Sequence, residues 1–94
     1  MRWVWTDAKN QKNKRDHRIG FETAKLVFDD PLALTRQDPH PDGDRWQTIG
    51  RVDAATVLVI HTSPEIDDGG EVGRIISARK ATSHERRAYE EGDF

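Results

Sequence analysis

The chain has 94 residues, 34% of them hydrophobic and 34% charged, with a formal net charge of -2 and no cysteine. That length holds one domain over residues 1–94 and one small core rather than two. The composition excludes disulfides and thiolate metal sites, and the weakly acidic balance speaks against bulk attraction to nucleic acid while leaving room for a local basic site.

"RWVW" predicts a first strand, with Trp3 and Trp5 on one face and Arg2 and Val4 on the other. Thr6 is a fair N-cap and Asp7 suits the positive end of a helix, so residues 7–18 are expected to be helical. That helix is polar and basic, and Ala8 is nearly its only apolar residue. In "GFETAKLVFDDP" the residues Phe21, Ala24, Val27 and Phe28 fall at i, i+3, i+6 and i+7, an amphipathic helix stopped by Pro31. "LALTRQ" alternates as a half-buried strand, and "DPHPDGD" is a loop by composition. "RWQTIGRV" and "ATVLVIHT" follow as strands, the second apolar on both faces and therefore central. "SPEIDDGGE" is a turn-rich connection, and "VGRIISARK" is another strand. The last helix starts at "TSHE", where Thr82 and Glu85 have capping-box spacing, and packs through Ala88 and Tyr89. The order is strand, two helices, four strands, one helix. It predicts an α+β fold, a small antiparallel sheet with the helices against one face.

Arg45, Arg74 and Arg79 lie on or beside predicted strands. Arginine stays charged at any working pH and offers a planar fork of donors, which suits a phosphate whose charge grows in a transition state. Surface pairing with the acidic loops is the plainer alternative. Arg74 and Arg79 are five apart, so a regular strand sends them to opposite faces unless a bulge or twist intervenes. His61, at the end of the central strand, is an acid–base candidate or a hydrogen-bonded strand end. His17, His40 and His84 have no metal-ligand spacing, so no metal site is expected. Lys9, Asn13 and His17 form a helical stripe that could follow a nucleic-acid backbone or be a solvated face. No run approaches the roughly 20 apolar residues of a membrane span, and "MRWVWTDAKN" lacks a signal-peptide core, so a soluble cytoplasmic protein is expected.

Taken together, these segments resemble the BrnT toxin family of bacterial type II toxin–antitoxin systems. "WTDAKNQKNKRDHRIGFETA" is similar to the family's opening, with Trp5, Lys9, Asn13, His17 and Phe21 in its places. "VFDDPLAL", "RWQTIGRV" and "RIISARKATSHERRAY" continue the match. The chain departs from it at Thr6, where aspartate is common, and at Asp16-His17-Arg18, where the family often reads Lys-His-Gly. The resemblance implies a RelE-like fold and a metal-independent endoribonuclease that halts translation, with no cofactor. It implies an RNA substrate and a cognate antitoxin of the ribbon-helix-helix type (BrnA-like), with operator DNA reached only through that antitoxin. Within it, Arg79, Arg74 and Arg45 are the expected phosphate contacts and His61 the acid–base candidate. Tyr89 and Glu85 are weaker candidates, and Lys9 and His17 would grip flanking RNA. A non-catalytic module that binds the antitoxin for operon control is the alternative.

Overall fold

In the computed structural model, which describes residues 1–41 and 43–94, "ATVLVIH" forms the central strand as its two-sided apolar pattern requires. The elements are β1 (Arg2–Val4), α1 (Asp7–His17), α2 (Phe21–Ala24) running on into a 3-10 segment (Lys25–Asp29), β2 (Leu34–Gln37), β3 (Trp46–Val52), β4 (Ala55–His61), β5 (Glu65–Asp67), β6 (Gly70–Lys80) and α3 (Ser83–Glu91). The sheet order is β1-β6-β4-β3-β2, with β5 paired to β6. It is antiparallel except at its edge, where β1 lies parallel to β6 with Trp3 opposite Gly73. The fold is thus α+β with a mixed sheet, and β5 adds a strand inside "SPEIDDGGE".

The helices do not share one face. Val57 and Val59 of β4 and Ile75 and Ala78 of β6 receive Phe21, Ala24 and Val27 on the first face. On the second face Ile49 and Leu58 pack against Tyr89 of α3, with Leu34, Ile60, Ala81 and Phe94 around them. The buried residues of the second helical segment, 21, 24 and 27, repeat every three positions. That period suits a 3-10 helix better than an α-helix, and the segment tightens from one into the other. Gly50 lets the segment approach: a Cβ there would lie 3.0 Å from the Val27 carbonyl oxygen.

α1 has almost no apolar face and docks by amides instead. Thr6 caps it by accepting from the Lys9 N–H at 3.2 Å. Asn10 accepts the Phe21 N–H at 2.8 Å and donates to Glu22 at 2.7 Å. Asn13, buried, donates to the carbonyls of Ile19 and Ala78, both at 2.9 Å, and accepts the Ala78 N–H at 3.1 Å. Its side chain therefore closes the outer edge of β6 as a neighbouring strand would. The helix ends at Arg18, whose φ of 61° lies in the left-handed region.

Candidate functional site

One irregularity in the sheet decides where the arginines point. Ile60 pairs with Ser77, but the next residue, His61, pairs with Ile75, so Ile76 is an extra residue on β6. Arg79 sits opposite Leu58 on the second face. Thr62 follows Leu58 and Ile60 in alternation on that face. Its N–H donates to the Arg74 carbonyl at 3.0 Å, and the Arg74 N–H donates to the Thr62 hydroxyl at 3.0 Å. The bulge thus turns Arg74 to the same face as Arg79, and the opposite faces of a regular strand are not what the chain adopts.

Two further arginines join them. Arg45 precedes β3 in alternation with Gln47 and Ile49, and its carbonyl accepts the Asp38 N–H at 2.8 Å. Arg36 of β2 pairs with Gln47, which pairs with Ile60, which pairs with Ser77. That row crosses three strand spacings, about 14 Å. α3 covers the end of the face around Ile49 and Leu58 and leaves this row less covered.

The four arginines are differently occupied. Arg79 forms a two-pronged ion pair with Glu85, at 2.7 and 2.9 Å. That contact, with the Thr82 N–H at 2.9 Å, holds the Glu85 carboxyl down at about 2, while the same contact raises Arg79. Arg36 donates to Gln47 at 2.8 Å, and its guanidinium lies 3.9 Å from the Phe94 ring centre. Arg45 donates to the Asp44 carbonyl at 3.1 Å. The guanidinium of exposed Arg74 meets no hydrogen-bonding or ionic partner among the described residues.

The other candidates lie elsewhere. His61 is buried on the first face, with the Trp3 and Phe28 ring centres 5.0 and 5.1 Å from its own. Its Nδ1 is 2.8 Å from the Thr62 carbonyl, and its Nε2 is 2.7 Å from the Thr48 hydroxyl, which is 2.8 Å from that of Thr35. Burial is the main influence and favours its neutral form. The sheet separates it from the four arginines. The Tyr89 hydroxyl donates to Asp30 at 2.5 Å, an engagement that raises its pKa. Lys9 and His17 are exposed on α1 and, with Lys12, line a cleft of about 320 Å³ that opens beside Ile76 and Ser77. Asn13 lies between them but is bonded into the sheet, so the expected stripe has a structural centre.

Arg36 escaped the sequence reading because its face depends on pairing with β3, which "LALTRQ" does not declare. Among the described residues no cluster of three histidines, cysteines or carboxylates is placed to hold a metal, and no helix is long and apolar enough to cross a membrane.

A family model described as the ribonuclease toxin BrnT of type II toxin–antitoxin systems matches residues 5–85. No curated protein matches the chain.

Proposed function

The chain belongs to the BrnT family of ribonuclease toxins of type II toxin–antitoxin systems, and from that premise we propose that its RNA is bound and cut on the sheet face carrying Arg36, Arg45, Arg74 and Arg79. The observation that carries this reading is the bulge at Ile76, which brings Arg74 onto the face of Arg79. A net charge of -2 gives the molecule no general pull on RNA, so the pull must be local, and four arginines on one sheet face supply it.

The reaction needs no group beyond the chain's own. The ribose 2′-oxygen attacks the adjacent phosphorus, and the bond from phosphorus to the 5′-oxygen breaks, leaving a 2′,3′-cyclic phosphate and a 5′-hydroxyl. Arg74, whose guanidinium has no partner among the described residues, and Arg45 would hold the phosphate and stabilise the charge that grows on it. Arg36, beside Phe94, would orient a neighbouring nucleotide, with Lys9 and His17 further along the strand at the β6 edge.

Glu85 is in contact with one of these arginines, Arg79. A phosphate that takes over the Arg79 fork displaces Glu85, whose basicity then rises from that of a group near 2 towards the ordinary 4.5. It can then accept the 2′-hydroxyl proton and return one to the leaving oxygen. His61 and Tyr89, tied to Thr48 and Asp30, take no part in this scheme. Cleavage of cellular RNA would halt translation, and an antitoxin of the ribbon-helix-helix type would restrain it and link it to operator DNA.

The test is growth on induced expression together with cleavage of RNA by purified protein in the presence of EDTA. Wild type should arrest growth and leave cyclic-phosphate ends, and Arg74→Ala and Arg79→Ala should lose both while remaining folded. Arrest that survives both substitutions would remove the site from this face. A folded wild type that neither arrests growth nor cuts RNA would favour the antitoxin-binding module without catalysis.

A further inference from the structure

β2 forms one margin of the sheet, and its outer side is open. The Asp38 N–H donates to the Arg45 carbonyl, so the pairs 38/45, 36/47 and 34/49 exchange the hydrogen bonds of the ladder. The Arg51 N–H, two residues past Ile49, points the same way and is met by the Asp30 carboxylate at 2.8 Å. The N–H and C=O of Thr35 and Gln37 therefore point outwards, and no hydrogen bond from a described residue closes them.

At the start of this open edge, Leu32, Ala33 and Leu34 meet Tyr89 around a cleft of about 360 Å³, rimmed by Glu90 and Glu91 of α3. Leu32 is 71% exposed. An unpaired strand, an apolar cleft and an acidic rim thus adjoin. Together they specify an extended polypeptide that adds a strand, inserts an apolar side chain and places a lysine or arginine against the two glutamates.

We propose that this edge is where the antitoxin docks, through an extended segment of that chemistry. The proposal rests on the toxin–antitoxin reading, which supplies the protein partner. RNA lacks the complement, because its phosphates would face Glu90 and Glu91. A second copy of this chain would bring the same acidic pair against itself. An added strand would run about 4.8 Å from β2 and so border Arg36 on the arginine face. Binding there would cover the margin of the RNA site.

The experiment measures binding of the purified cognate antitoxin to the full chain, with four variants. Gln37→Pro removes an outward N–H and leaves the β2–β3 ladder intact. Leu32→Asp places a charge at the cleft, and Glu90→Lys with Glu91→Lys reverses the rim. Leu26→Asp, at another exposed apolar residue (43%), is the control. Each of the first three should weaken binding about tenfold or more, with the melting temperature unchanged, and the control should bind as wild type.

Wild-type affinity in the first three variants overturns the docking site and leaves the functional reading standing. A wild type that does not bind the antitoxin overturns both. Self-association of the chain alone that Gln37→Pro abolishes would assign the edge to a second copy and overturn the antitoxin assignment.

Discussion

Asn13→Ala tests the claim that a side chain stands in for a strand at the edge of β6. The substitution removes two donors and one acceptor and leaves the carbonyls of Ile19 and Ala78 and the Ala78 N–H without partners. Asn13 is 6% exposed and Ala78 fully buried, so water reaches these groups poorly. An orphaned buried polar group costs about 1–3 kcal/mol, so three of them with partial relaxation should cost about 3–5 kcal/mol. Against a total of about 5–15 kcal/mol for a domain, that is a large share of the stability. Urea titration followed by far-ultraviolet circular dichroism measures the loss, and hydrogen exchange at the Ala78 amide locates it. Asn13→Asp should do no better, since it keeps the acceptor, loses both donors and sets a charge beside two carbonyl oxygens. A loss for Asn13→Ala below about 1 kcal/mol, within the usual range of surface substitutions, would refute the reasoning.

Three other outcomes follow from the same contacts. Arg18→Gly should stabilise the chain by about 1 kcal/mol in the same titration, because φ of 61° strains a side chain and not glycine. Gly73→Ala should destabilise it and shift tryptophan fluorescence, since a Cβ there would lie 2.4 Å from the Trp3 ring, which stacks on Phe28. The folded-state pKa of Glu85 lies below its ordinary value, so its ion pair contributes fully above 4.5 and is lost as pH falls from 4.5 towards 2. Over that range Glu85→Gln should remove about 1–2 kcal/mol of acid dependence, less than the full linkage value because the Arg79 side chain is 37% exposed.

Local chemistry was legible where it acts within a few residues. Thr6 and Thr82 cap their helices as the spacing implied, and "ATVLVIHT" is central because its apolar residues leave no polar face. β5 was hidden because all three residues of Glu65–Asp67 are exposed, so no burial pattern marks them. The docking of α1 was hidden for a different reason. A buried asparagine reads like any polar residue until the backbone it serves, 65 positions away, is known. The arginine face depended on register: Arg74 and Arg79 were singled out by residue type, but their common direction comes from an insertion visible only against β4. His61 shows the converse: its type and strand-end position suit acid–base chemistry, while the structure surrounds it with Trp3, Phe28 and Thr48 on the face away from the arginines.

The extra residue at Ile76 also makes β6 a strand with two phases. Residues 77–80 keep one inside–outside parity against β4, and those before Ile76 keep the other. Deleting Ile76 would do what no substitution can, removing the extra residue and leaving a regular ladder in which Ser77 still faces Ile60 and Ile75 still faces His61. Gly73 would still lie under Trp3, and Arg74 would keep the face of Arg79, now four positions away on a regular strand. Substitution therefore tests these residues one at a time, whereas a single deletion at Ile76 would test the kink of the bulge alone, with the apolar and the charged layer each left in place.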